Sequence, residues 1–362
     1  MRQLLIFLVL LTAGIFFGRS RDNRVVKGIK IYEYDKDFRA LALKWKDIGF
    51  NSAFVSKELA ANSEFRNSMK KAHIKVFVVF PVYYDPGALK RDSGLFAITR
   101  RGAVAREDWV EIVCPSRKGH NHAKVAEAAE LIRTLKPDGL SIDFIREFVF
   151  WEMIYPERTP ESIGEACYCD SCIKEFTSRY GIRIPDSCNS VALKAGFIDN
   201  KFKNEWNSYR TDLIATMVRM ISDTARSIRP GIKINVHIVP WRDSDFGGAN
   251  IRVAAQDLEK IAPYADYVSP MCYSQMLRRD AGWIASVVSE MDRKAPGKIL
   301  PSIQVYPYYI DDSFTPEDLG RCVGAALKAP SKGVVFFSWP LFAKDTVREE
   351  VVKKEMGLRV SF

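Results

Sequence analysis

Histidine is scarce in this sequence, with four in 362 residues. That leaves little material for a catalytic metal site built on imidazoles. No glycine-rich phosphate loop follows any of the early apolar runs, which removes the usual mark of a doubly wound nucleotide-binding sheet. No linker, low-complexity stretch or internal repeat interrupts residues 25–345. Lysine and arginine give a formal net charge of +10 but form no basic run, so nucleic acid is not expected as a partner. The scattered charge reads as a solvated surface with some attraction for an anionic glycan.

Charge is also missing from residues 3–18, QLLIFLVLLTAGIFFG, which follow Met1 and Arg2. A short basic start and an apolar run read as a Sec export signal. Leu11-Thr12-Ala13 and Phe16-Phe17-Gly18 each put a bulky residue where a cleavage site prefers a small one. No cysteine is near enough for a lipid anchor. Residues 1–20 are therefore expected to be a signal peptide or an uncleaved membrane anchor, 16 apolar residues being slightly short of the ~20 of a full span. The expected location is periplasmic, extracellular or membrane-anchored.

The chain is 47% hydrophobic and 27% charged, an ordinary globular balance. Its length is compatible with two domains or with one large α/β barrel. Short β-rich runs alternate with longer amphipathic ones, the pattern of repeated βα units. Strands are expected at 26–34, 51–56, 75–84, 138–145, 232–241, 266–274, 298–307 and 333–339, with helices between them, for example at 37–49, 122–136 and 208–228. Eight strands with helical crossovers predict a (β/α)8 TIM barrel over residues 25–355. The two longest connections, 85–121 and 147–207, follow strands three and four. They lie on the face where such barrels build their sites.

Side chains alternate along a strand. Ser141 and Asp143 share one face of the fourth strand, opposite Leu140, Ile142 and Phe144. Asn235 with His237, Ser269 with Met271 and Tyr273, and Ser302 with Gln304 and Tyr306 form similar rows. The apolar faces belong against the helices, so the polar rows are expected to point into the barrel. Asp143, at the strand end and three residues before Arg146, is the leading catalytic candidate; the bland alternative is a structural ion pair with Arg146. Glu147 is chosen as second catalytic candidate, with Glu152 as another runner-up. Glu33, Asp243 and Asp245 are further possible partners. Arg146, His237, Tyr273, Gln304 and Trp339 are the expected substrate-binding residues. Aromatic residues near strand ends (Trp339, Trp241, Tyr273, Tyr306, Tyr83) suit the apolar C–H faces of sugar rings.

Of the seven cysteines, Cys167, Cys169 and Cys172 form a C-x-C-x-x-C cluster too tight for ordinary pairing among themselves. Cys114, in the loop after strand three, is the expected fourth ligand of a structural zinc. The alternative is a set of disulfides, for instance Cys167 or Cys172 with Cys188.

Certain of these segments are similar to known families. DGLSIDFIREF (138–148) resembles the fourth-strand motif of glycoside hydrolase-like barrels, of the form DGxxxDxIR. VCPS (113–116) with CYCDSC (167–172) and KEF (174–176) is similar to the zinc loop of family 42 β-galactosidases, which implies the ligand set Cys114, Cys167, Cys169 and Cys172. SPMCYS (269–274) with Trp339 resembles the sixth- and eighth-strand motifs of family 18. The departures are specific. The Asn-Glu pair of family 42 is absent from the fourth strand, and the catalytic Glu and middle Asp of family 18 fall on Ile145 and Ser141. The resemblance implies a hydrolase of O-glycosidic bonds acting on a polysaccharide or oligosaccharide, with no catalytic cofactor. A non-catalytic glycan-binding barrel and a metal-dependent deacetylase are the competing expectations.

Overall fold

The computed structural model describes residues 25–328 and 330–358. The expected export segment lies outside them. Among the described residues no helix is long and apolar enough to cross a membrane.

Eight parallel strands form the centre: β1 (Val26–Ile31), β2 (Ser52–Val55), β3 (Lys75–Pro81), β4 (Gly139–Asp143), β5 (Lys233–Ile238), β6 (Tyr267–Pro270), β7 (Ser302–Gln304) and β8 (Gly333–Phe337). Each pairs with its sequence neighbours, and β1 pairs with β8. Bridges Val268–Ile299 and Met271–Ser302 join β6 to the β7 segment and close the ring. All eight expected strands are present, and the fold is the expected TIM barrel.

The helices form for local reasons. In α1 (Phe38–Ile48), Phe38, Leu41, Ala42, Trp45 and Ile48 make one buried stripe. Asp37 caps its start by accepting from the N–H groups of Arg39 and Ala40, and Gly49 ends it in the left-handed region. The expected helices 122–136 and 208–228 start earlier, as α2 (Lys118–Leu135) and α3 (Lys203–Ile228). Neither has a side-chain cap at its N-terminus, so the sequence carried no start signal there.

The barrel interior is layered. At the N-terminal end Val26, Phe54, Phe77, Val79, Leu300 and Val335 pack together, with the Phe54 and Phe77 rings stacked at 4.7 Å. Gly28 and Gly139 make room for those rings: a Cβ at Gly139 would stand 2.2 Å from Phe77. Above this plug lies a polar layer. Ser141 Oγ accepts from Asn235 Nδ2 at 2.9 Å and shares a 2.9 Å hydrogen bond with His237 Nε2. Ser269 donates to the Leu300 carbonyl at 2.5 Å. These polar residues of β4, β5 and β6 thus face inward, as alternation requires.

Long connections follow β3 and β4. Backbone bonds stitch them together, from Arg100 N–H to the Glu165 carbonyl (3.1 Å) and from Tyr168 N–H to the Ile98 carbonyl (2.8 Å).

Candidate active site

The chain turns sharply where β4 ends. Phe144 adopts φ 47°, a conformation uncommon for a bulky residue. Its N–H donates to Asp143 Oδ1 at 2.7 Å, which fixes the carboxylate at the strand end. Asp143 lines a cavity of about 370 Å³ at the C-terminal mouth of the barrel, together with Lys30, Arg146, Glu152, Tyr273 and an aromatic surround that includes Trp109, Trp151 and Phe337.

Four charged groups therefore share one small space. Glu152 sits on a short turn (Trp151–Met153) that folds the β4 connection back over the cavity. It is buried, its Oε2 has no hydrogen-bond partner, and burial pushes its carboxyl up to about 7. Arg146 opposes that rise and Asp143 adds to it. Arg146 is buried too. Its Nη1 donates to the carbonyls of Val149 (2.6 Å) and Glu147 (3.2 Å), while Nη2 has no partner among the described residues. Lys30 comes up from β1, its Nζ donating to Tyr273 Oη at 3.2 Å and lying 5.7 Å from the centre of the Phe337 ring. Burial pulls its ammonium down to about 8, with Asp143 pulling the other way.

The structure thus brings Asp143, Arg146 and Tyr273 together. The other expected residues lie elsewhere. Glu147 is fully buried off the cavity, 3.7 Å from Arg210 Nε, with its N–H donated to the Ala254 carbonyl. Strand alternation no longer applies once the chain has turned at Phe144, so its position could not be read from Asp143. His237 lies in the polar layer below, where burial and then the Lys30 charge hold its imidazole down to about 3, hence neutral. Gln304 accepts from Met276 N–H (3.0 Å) and donates to Gln275 Oε1 (2.9 Å), bracing the loop that carries Met276 rather than lining the cavity.

Trp339 follows the end of β8 in a short helix and packs edge-on to Trp45 of α1 (5.6 Å), on the outer side of the barrel. Phe337 lines the cavity instead, stacked on Tyr273 at 5.1 Å. Of the remaining acids, Glu33 and Asp243 are exposed, and Asp243 pairs with Lys294. Asp245 is held by Arg242 at 2.9 Å. Of the aromatics besides Tyr273, Tyr83 packs toward His120, Trp241 packs on Phe246, and Tyr306 lies under Arg348.

The sequence reading missed Lys30, whose inward parity with Tyr32 was a usable signal. It also missed Trp109, which only the folded hairpin loop brings to the mouth.

Cys114, Cys167, Cys169 and Cys172 are all buried, and their sulfurs lie within 4.8 Å of one another. Cys114 Sγ is 3.4 Å from Cys172 Sγ and 3.6 Å from Cys169 Sγ. Four thiolates at ~2.3 Å from a tetrahedral zinc stand ~3.8 Å apart, so the donor set and its spacing fit that ion. The cluster joins the two long connections, Cys114 from the first and the other three from the second.

No profile of a known family and no curated protein matches this sequence. Solved structures do. The glycoside hydrolase domain of PgaB (BpsB) from Bordetella bronchiseptica superposes with a TM-score of 0.70 at 11% identity, over 92% of this chain and 99% of that one. A catalytic mutant of Gan42B, a family 42 β-galactosidase from G. stearothermophilus, gives 0.62 at 12% identity over 94% of this chain. The chain spans 57% of that enzyme's length. The spore cortex-lytic enzyme SleL of Bacillus megaterium gives 0.53 at 10% identity, over 93% of this chain and 75% of that one. At these identities the likeness is one of architecture: the chain has the fold of the glycoside hydrolase TIM barrels.

Proposed function

We propose that this protein hydrolyses O-glycosidic bonds in an oligosaccharide or polysaccharide, with Glu152 as general acid and Asp143 as its carboxylate partner. The observation that carries this reading is a pair of carboxyl groups in one cavity whose environments differ in kind. Glu152 is buried with a partnerless oxygen and holds its proton to about pH 7. Asp143 accepts an N–H bond from Phe144 and shares the cavity with the Lys30 ammonium. A buried carboxyl that keeps its proton beside a second, hydrogen-bonded carboxyl suits the acid and partner roles of a glycosidase.

In the step proposed, Glu152 gives its proton to the glycosidic oxygen as the bond to the anomeric carbon breaks. Asp143 either bonds to that carbon, to be displaced by water later, or takes a proton from the water that attacks it. Arg146, through its free Nη2, and Tyr273 hold the sugar. The four cysteines hold a structural zinc that fixes the two long connections. Residues 1–20 direct export, so that the glycan is met outside the cytoplasm or at the membrane surface.

The test is a screen of the purified protein against neutral, acidic and amino-sugar glycans, with Asp143→Asn alongside. Turnover lost by roughly 10³-fold or more with glycan affinity retained supports the proposal. Glycan binding with no product from either protein would identify a binding barrel instead.

A further inference from the structure

The rim of the cavity is uneven. Connections after β3, β4 and β7 rise above it, whereas the chain passes from β1 to α1 in six residues and from β2 into a helix at Lys57 almost at once. The raised side is closed by aromatic contacts. Tyr84, at the end of β3, stacks on Phe144 at 4.7 Å. Trp109, from the hairpin after β3, packs on Phe144 at 6.2 Å and on Phe150 at 5.8 Å. Phe150 meets Tyr309, from the connection after β7, at 6.1 Å.

Trp109 Nε1 then donates to Tyr309 Oη at 2.9 Å. Strands three and seven are opposite one another in an eight-strand ring, so this bond reaches across the mouth. Tyr309 makes it from a left-handed backbone conformation, φ 62°, which a non-glycine residue holds only where its surroundings impose it. Lower down, Trp151 packs on Tyr273 at 5.8 Å and fills the gap toward β6. At about 370 Å³ the space enclosed is near the small end of the ~300–1,000 Å³ of small-molecule sites.

We propose that the site acts on chain ends: the wall of Trp109, Phe150 and Tyr309 makes the cavity a dead end, entered from the low rim at β1 and β2, that holds the terminal sugars of a glycan. Trp109 and Tyr309 are then specificity-determining residues. A strand of polysaccharide entering from the low side meets the wall within a sugar or two and cannot continue past it, so internal bonds do not reach Asp143 and Glu152. This rests on the hydrolase reading, and the experiment separates the two.

A polysaccharide cut by the full chain is followed by chromatographic sizing of products, beside Trp109→Ala and Tyr309→Ala. The second variant is at a half-exposed loop position and leaves the core untouched. Mono- or disaccharide is expected from the first time point, while the polymer's mean mass barely falls. Either variant shifts the products toward mixed lengths. Fragments of all sizes from the unaltered protein, or product patterns identical in all three proteins, overturn the proposal while leaving hydrolysis intact. With Asp143→Asn, binding to chains of increasing length is expected to saturate at one protein per chain. Several proteins per chain overturns chain-end binding whatever the turnover. A protein that neither cuts nor binds any glycan sinks the hydrolase reading and this one with it.

Discussion

Glu152→Gln tests the assignment of the acid on two independent readouts. In an unfolded chain the Glu152 carboxyl loses its proton near the ordinary glutamate value, whereas in the folded protein it holds it to about 7. Between those values the folded state carries a proton that the unfolded state has released. Folding stability therefore falls as pH rises through that window, and the full penalty is present above pH 7. At ~1.4 kcal/mol per tenfold change in proton affinity, the penalty is about 3 kcal/mol. Glutamine cannot ionise, so the variant escapes it.

The stability difference between variant and parent should therefore move by about 3 kcal/mol in the variant's favour between pH 4 and pH 8.5, measured by denaturant unfolding. Comparing the difference across pH cancels whatever the substitution does to packing, and it also cancels Glu147, which burial likewise pushes up to about 7. The kinetic readout is separate. The parent should lose kcat/KM above pH 7 as the acid ionises, and Glu152→Gln should cost roughly 10²–10⁴-fold on a sugar leaving group. On an aryl glycoside whose phenol leaves without protonation the loss should be far smaller, with the alkaline limb gone. A stability difference that is flat with pH, or equal losses on both leaving groups, would refute the assignment.

Burial pulls the Lys30 ammonium down to about 8, so the parent should gain stability relative to Lys30→Met as pH rises from 8 to 10; a difference flat over that range would mean the ammonium is not desolvated in solution. Cys114→Ser should abolish the zinc bound per chain, read by elemental analysis, and lower the thermal midpoint. In the same experiment, chelation at low temperature should leave turnover per folded molecule intact; prompt loss would favour the metal-dependent deacetylase. Gly139→Ala puts a Cβ 2.2 Å from a Phe77 ring already stacked on Phe54, and should cost about 1–3 kcal/mol in the denaturant midpoint. A variant within about 0.5 kcal/mol of the parent would show that the ring pair can shift.

What could be read from the chain followed from period. A side chain's face on a strand is set by parity, so the sequence alone places Ser141, Asp143, Asn235 and Tyr273 inside the barrel. The same rule, applied to β1, puts Lys30 beside them, on the face opposite the buried Ile29 and Ile31. Parity fails where the backbone leaves the extended region. At Phe144 it turns left-handed, and residues beyond it are positioned by tertiary contacts. Glu147, four residues past Asp143, is drawn down to Arg210, while Glu152, nine past it, is returned to the cavity by a turn with no side-chain cap to announce it.

The same limit explains the two tryptophans. Trp339 was chosen for lying at the end of β8, but the strand stops at Phe337 and the next turn carries Trp339 to the helix layer. Trp109 lies in the long connection after β3, and only the hairpin of Arg106–Glu107 with Val110–Glu111 lifts it to the mouth. The cysteine cluster was legible despite lying in loops, because three of its members are fixed within six residues by covalent spacing and only Cys114 had to be brought to them. A site whose charge comes from a strand and whose acid comes from a loop is therefore half visible in sequence. The visible half is the one that parity or short covalent spacing constrains, and the Glu152 variant is the sharpest test because it probes the half that is not.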